Sequence, residues 1–230
     1  DAISAIEGQA FVGTGENSSG VSFANVVVSN ANPPTASVVG TFNGYKTNGV
    51  FGEPGYAYLA TDTNSKEVVI ISLTQYLEIG SFNAPNENNA KGVFVLANTG
   101  YVISGKYLYN FDLTSKTGVR PALDSNGVKL AGNATRVVVV GNYAYVTLED
   151  SSIEMQIIDV SHPTNLTIVG QTDLTGKNAK DIFVNSTSTR AYLATRKQDN
   201  LPEFFIVDIS TKTGNRPVIS SYEAGAMSPR

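Results

Sequence analysis

The apolar residues of this chain fall into short runs separated by turn-forming residues. The clearest stretch spans residues 135–179. Residues 137–140 are a continuous Val run, and residues 143–148 are a second β-rich run. Residues 154–160 form a third, closed by Ser161-His162-Pro163, and residues 166–169 form a fourth. Runs this short, rich in Val, Ile and Tyr and punctuated by Gly, Asn and Pro, predict strands. No amphipathic helix of useful length competes with them, and the opening segment 2–6 reads as a further strand in which Ile6 stands where Val140 stands.

The same grammar recurs along the chain. The second strand of each unit carries a small-aromatic pair: Ala10-Phe11, Ala57-Tyr58, Gly100-Tyr101, Ala144-Tyr145 and Ala191-Tyr192. The third strand recurs at residues 68–74, 107–113, 155–161 and 204–210, with a weaker copy at 23–30. The outer strand recurs as SVVGTF, LEIGSF, LTIVGQ and PVISSY. A four-stranded unit repeating every ~45 residues matches the blade of a β-propeller, since a single blade cannot bury both of its faces and blades packed side by side can. The expected fold is all-β, a single domain (residues 1–230) forming a five-bladed β-propeller of four-stranded antiparallel blades. Its repeats are placed at about 1–48, 49–91, 92–134, 135–179 and 180–230. On this frame the ring closes by packing the first blade against the fifth, and all five aromatic anchors are buried between sheets.

The phrase GNYAYVTLED…EMQIIDVSHPTNLTIVGQ resembles the LVIVD repeat, and KDIFVNSTSTRAYLATRKQDNLPEFFIVDIS resembles the same repeat. That resemblance implies a β-propeller of the kind found on secreted or surface-anchored bacterial and archaeal proteins, sometimes on a pilin-like anchor. It implies no enzymatic activity and no agreed ligand.

Composition narrows the function classes. Net charge is −4 with 16% charged residues, which argues against nucleic acid as a partner, because phosphates call for clustered Lys and Arg. There is no cysteine, so disulfides and thiolate metal sites are excluded. No run approaches the roughly 20 apolar residues of a membrane span, so direct membrane insertion by this segment is not expected.

Several residues are candidates for chemistry. Asp112, Asp159 and Asp208 end the third strand of three units, with Ser72 in that place in the second. A carboxylate there caps the backbone N–H groups of the following turn; the competing reading is a ring of metal ligands. Glu67, Glu154 and Glu203 open the same strand beside Asp62, Glu149-Asp150 and Asp199-Asn200. Calcium takes six to eight oxygens, and one such loop supplies too few, so solvated turns are expected, as they are for residues 124–127. Lys116, Arg120, Lys212 and Arg216 belong to two copies of Lys-Thr-Gly-x-Arg-Pro. Those copies either hold an acidic partner or sugar or form a shared long turn. Lys91, Arg136, Lys180 and Asp181 begin inner strands, where a small polar ligand could sit; the alternative is an ion pair between Arg136 and Asp181. Asn17, Asn133, Asn165 and Asn185 begin sequons.

For catalysis, a lone His162 before Pro163 is a poor general base, and Gly-x-Ser-x-Gly and phosphate-loop motifs are absent. The expected function is a non-catalytic extracellular module at the cell surface, for binding or adhesion to a surface protein or glycan or as a structural subunit, with no cofactor. The alternatives are a metal-dependent propeller enzyme with calcium or another ion at an axial site, and a fragment of a longer array on a pilin-like protein.

Overall fold

The structure is a computed structural model that describes residues 2–15, 20–149, 152–176, 178–197 and 201–224. The chain folds into five β-sheets, with no helix among the described residues. The first sheet is β1 (Ala2–Ile6), β2 (Gln9–Gly13), β3 (Phe23–Val28) and β4 (Ala36–Phe42). The second is β5 (Thr47–Glu53), β6 (Tyr56–Thr61), β7 (Val68–Ser72) and β8 (Leu77–Phe82). The third begins with β9 (Ala90–Leu96), β10 (Thr99–Ser104) and β11 (Tyr107–Asp112). The chain then makes β12 (Gly118–Val119), which joins the second sheet, before β13 (Val128–Lys129) completes the third. The fourth sheet is β14 (Asn133–Val140), β15 (Tyr143–Glu149), β16 (Met155–Asp159) and β17 (Thr167–Thr172). The fifth is β18 (Ala179–Val184), β19 (Arg190–Thr195), β20 (Phe204–Asp208) and β22 (Val218–Tyr222), with β21 (Gly214–Asn215) diverted onto the fourth. The second and fourth sheets are therefore five-stranded, and each added strand pairs parallel with its neighbour.

The chain divides into two compact units, Asp1–Ser104 with Tyr109–Ser125, and Gly105–Leu108 with Asn126–Arg230. In the first unit, Phe11 and Phe23 pack on Val50, Ala57, Leu59, Val69 and Ile71. In the second, Tyr145, Met155 and Ile157 pack on Ile182, Val184, Ala191, Leu193, Phe205 and Val207. Each pair of facing sheets thus buries a strip of alternate residues, and a fully buried large side chain contributes on the order of 1.5–3 kcal/mol.

Strand register confirms that the five anchors are equivalent. Phe11 pairs with Ser4, Tyr58 with Phe51, Tyr101 with Phe94, Tyr145 with Val138 and Tyr192 with Phe183. Four anchors are buried, as the pattern predicts. Tyr192 is the exception and stays half-exposed.

Two bulges recur that the pattern did not announce. Four inner strands carry an extra residue near their start, namely Asn48, Lys91, Thr135 and Lys180. Freed from the ladder, Asn48 donates to the Ala90 carbonyl of the next sheet at 2.8 Å, and Thr135 donates to the Ala179 carbonyl at 2.8 Å. Four outer strands are also bulged, and the residues that follow the bulge are Gly40, Gly80, Gly170 and Ser220.

Candidate functional site

The two Lys-Thr-Gly-x-Arg-Pro loops are clamps on neighbouring sheets. In the first unit, Gly118 and Val119 lie parallel to Gly80 and Ser81, and Arg120 N–H donates to the Ser81 carbonyl at 2.7 Å. In the second unit, Gly214 and Asn215 lie on Gly170 and Gln171, and Arg216 N–H donates to the Gln171 carbonyl at 2.7 Å. The added strand covers an otherwise open sheet edge.

The glycines explain the fit. A Cβ on Gly80 would stand 2.3 Å from the Lys116 carbonyl oxygen, and one on Gly170 would stand 2.1 Å from that of Lys212. Gly118 and Gly214 take φ of +72° and +73°, conformations that favour glycine. The sequence pairs two glycines per clamp, one to admit the strand and one to turn it.

The loop side chains are consumed by the same construction. Arg120 Nε donates to the Asp112 carbonyl at 3.0 Å, and Nη1 donates to the Thr117 carbonyl at 2.9 Å. Its Nη2 lies 3.0 Å from the Asp112 carboxylate. Arg216 repeats the first two contacts on Asp208 and Thr213 at 3.3 and 2.9 Å. Lys116 lies 3.2 Å from Glu53 and over the rings of Tyr56 and Tyr58. Lys212 donates to the Ser188 and Ile209 carbonyls and sits over Tyr143. Burial, with the nearby Arg216 charge, holds the Lys212 ammonium below its ordinary pKa. The shared long turn is thus the reading that fits these four cations.

The strand-ending carboxylates cap turns. Asp112 accepts the Thr114 N–H at 3.0 Å, Asp159 the Ser161 N–H at 2.9 Å and Asp208 the Ser210 N–H at 2.9 Å. The Thr114 N–H, and the Ser161 and Ser210 hydroxyls, hold these three carboxyls below the usual carboxylate range. Ser72 makes the equivalent local contact, 2.9 Å from the Thr74 hydroxyl.

The solvated turns expected at Glu67, Glu154 and Glu203 are not what the structure contains, because all three side chains are buried. Each carboxylate accepts a backbone N–H from the segment just after the outer strand: Ala84 at 2.8 Å, Leu174 at 2.5 Å and Ala224 at 2.8 Å. In the first sheet Ser22 takes the same position, accepting the Gly44 N–H at 3.2 Å. The carboxylates tie the connection between consecutive sheets to the sheet it leaves. Burial pushes the Glu67 carboxyl up, against the lowering effect of its backbone hydrogen bonds, and its other oxygen has no partner. Asp150, Asp199 and Asn200, grouped with these acids in the sequence, lie outside the described residues.

The charges of the fourth and fifth inner strands are paired between neighbouring sheets. Arg136 Nε lies 3.3 Å from Asp181, and Lys180 pairs with Glu149. In the first unit Lys46 lies 3.1 Å from Asp62, which also accepts from Asn48 and feels the charge of exposed Lys91. The structure therefore brings Arg136, Lys180 and Asp181 together in one unit, and leaves Lys91 beside a different acid in the other.

The remaining candidates are local. The Asp124 N–H is held by the Asn110 side chain at 3.0 Å, so this segment is a turn. His162 lies beside the Ser161 hydroxyl at 3.0 Å. Asn133 and Asn165 are exposed, whereas the Asn185 side chain bonds across its own turn to Thr187, Thr189 and Arg190. Asn17 lies outside the described residues. Among those described, no group of three His, Cys, Asp or Glu side chains is placed to hold a metal.

One family matches the chain, over the fourth sheet and the approach to it. Residues 131–173 match the model of the LVIVD repeat. The other four sheets share the anchor register of the matched one. No curated protein matches the sequence. Among solved structures, a Lactobacillus plantarum protein is similar at TM-score 0.76 and 10% identity, covering 94% of this chain and 67% of its own. A Bacteroides uniformis protein provisionally named a 6-phosphogluconolactonase is similar at TM-score 0.72 and 12% identity, covering 97% of this chain and 71% of its own. The computationally designed Ika8 protein is similar at TM-score 0.64 and 10% identity, covering 99% and 62%. With the LVIVD match, these likenesses show a β-propeller fold.

Proposed function

We propose that the protein is a non-catalytic β-propeller module displayed outside the cell, where it binds a surface protein or glycan or serves as a structural subunit. The observation that carries this reading is where the recurring polar residues go. The Asp positions cap turns, the buried Glu positions hold the connections between sheets, and the Lys-Thr-Gly-x-Arg loops clamp neighbouring edges. The polar residues that recur across the sheets are engaged in building the sheets, which suits a rigid scaffold. The low charge, with a surface rich in Ser, Thr and Asn, suits an extracellular setting.

The provisional lactonase name of one structural relative defines the most direct test. Purified protein is assayed on 6-phosphogluconolactone and on generic ester, phosphate and glycoside substrates, with and without calcium. The expected result is no turnover above the uncatalysed rate. Turnover that scales with protein and disappears on substitution of one carboxylate overturns the proposal. Surface labelling of cells producing the native gene product checks the location, and a protein found only inside the cell overturns that part.

A further inference from the structure

We propose that the Lys-Thr-Gly-x-Arg clamp of the second unit is a binding site for an oxyanion, the carboxylate or sulfate group of a small ligand. The two clamps are built alike, each a short parallel strand on an outer strand, but they differ in charge balance. In the first, Lys116 is paired with Glu53 and Arg120 with Asp112, so two cations meet two acids. In the second, Lys212, Arg216 and Arg190 share one acid, Asp208. Every residue of this cluster belongs to the second unit.

Two positions that do not recur make the difference. Five residues before the anchor Tyr58 stands Glu53, and five before Tyr145 stands Val140. Lys212 lies over the Tyr143 ring as Lys116 lies over that of Tyr56, but Val140 takes the register position of Glu53. Two residues before Tyr101 stands Thr99, and two before Tyr192 stands Arg190. Arg190 Nη1 donates to Asp208 Oδ1 at 3.1 Å. Arg216 keeps the two backbone contacts that Arg120 makes, without the bond from Nη2 to the strand-ending acid.

Carbonyl partners hold these cations in place without neutralising them. Lys212 has three N–H donors and gives two, to the Ser188 and Ile209 carbonyls. Arg216 gives Nε and Nη1 to carbonyls, and its Nη2 has no acceptor among the described residues. Burial, and after it the Arg216 charge, disfavours the charged form of Lys212, and an anion alongside reverses that effect. A guanidinium edge beside an ammonium is a donor set matched to an oxyanion, since the planar fork of Arg fits the two oxygens of a carboxylate or sulfate. The cluster is reachable from solvent: the Arg190 side chain is 37% exposed, and the loop between Lys212 and Arg216 is exposed at Thr213, Gly214 and Asn215.

The neutral clamp is the control in the experiment. Backbone amide resonances of the full chain are followed while sodium sulfate, sodium glucuronate or glucose is added at constant ionic strength. Both anions are expected to shift the amides of Arg190 and of Thr213 to Arg216 to saturation, and to leave those of Thr117 to Arg120 in place. Glucose is expected to shift neither. Val140→Glu supplies the acid that the first clamp has, and Arg190→Thr returns Asp208 to Arg216. Each variant is expected to keep the wild-type far-ultraviolet spectrum and to weaken sulfate binding by about tenfold or more, the worth of one charge-assisted hydrogen bond. Shifts that do not saturate, equal shifts in both clamps, a response to glucose, or variants that bind sulfate as the wild type does each overturn the proposal. Tighter binding of glucuronate than of sulfate assigns the oxyanion to an acidic saccharide, and equal binding assigns it to a free anion. The saccharide arm rests on the reading of the protein as a glycan-binding module and the sulfate arm does not, so the two fail separately.

Discussion

The second and fifth sheets begin from the same strand grammar and finish in different environments. Both carry a small-aromatic pair on their second strand and an apolar third strand, and their registers superpose residue for residue. In the second sheet Tyr58 is buried on a neighbour and the outer edge is closed by a clamp admitted at Gly80. In the fifth, Tyr192 is half-exposed, β22 is exposed along its length, and Ser220 stands in the glycine position. The repeat decides how a sheet is made. What lies against its face and along its edge decides how much each residue is worth.

The largest expected effect follows from that contrast. Tyr145, buried like Tyr58, should lose about 3–5 kcal/mol of stability when changed to Ala, because its ring fills a packed interface. Tyr192→Ala should lose only about 1 kcal/mol. Denaturant titration of the two variants decides it, and equal losses would mean that Tyr192 is packed as closely as Tyr145.

The clamps give the next test. Gly170→Ala places a methyl group on the Lys212 carbonyl and should cost about 1–3 kcal/mol by overpacking, with faster hydrogen exchange at Asn215 and Arg216. The reciprocal change in the fifth sheet, Ser220→Gly, meets no clamp and should cost about 0.5–1 kcal/mol through backbone freedom alone. Exchange in β21 that is untouched in Gly170→Ala would show that the clamp does not depend on the glycine.

Glu67 separates a hydrogen-bonding role from a charged one. Glu67→Ala should cost about 1–3 kcal/mol by orphaning the buried Ala84 N–H, whereas Glu67→Gln keeps that acceptor. Because burial raises the carboxyl's pKa in the folded state, its neutral form is favoured there. That contribution is fully present below the unfolded value of about 4.3 and is lost as pH rises through the raised folded value. The Gln variant should therefore gain on the wild type as pH increases from acid to neutral. A constant difference across that range would remove the titration from the account.

The smallest effect belongs to the strand-ending Asp positions. Asp112→Asn keeps a turn acceptor and loses the partly exposed Arg120 pair, so a change under about 1 kcal/mol is expected. The Asp112 carboxyl is held low in the folded state, so its contribution is present above the unfolded pKa and is lost as pH falls through the folded one. Urea midpoints measured at neutral and acid pH should draw together for this variant and the wild type.

Much of this was legible in the chain. The anchor spacing predicted five units, and the strands formed where the apolar runs lie, including β1 over Ala2–Ile6. Asp at the strand end predicted a turn cap, and Arg136 with Asp181 predicted an ion pair between strands. These are short-range consequences of residue type and order. The clamps were visible only as a shared phrase, because the partner glycine lies far away in sequence: Gly80 for Lys116, Gly170 for Lys212. The buried Glu positions were misjudged for the same reason. A carboxylate in a polar stretch looks solvated until the N–H it serves is brought to it by the outer strand, 17 residues on in the case of Glu67.

The sequence by itself determined the sheets, since alternation and turn chemistry act over a few residues and repeat whenever the phrase repeats. Tertiary structure alone decided which faces and edges are closed. Burial belongs to a pair of surfaces, so Tyr58 and Tyr192, read identically in the chain, end as a buried and a half-exposed side chain.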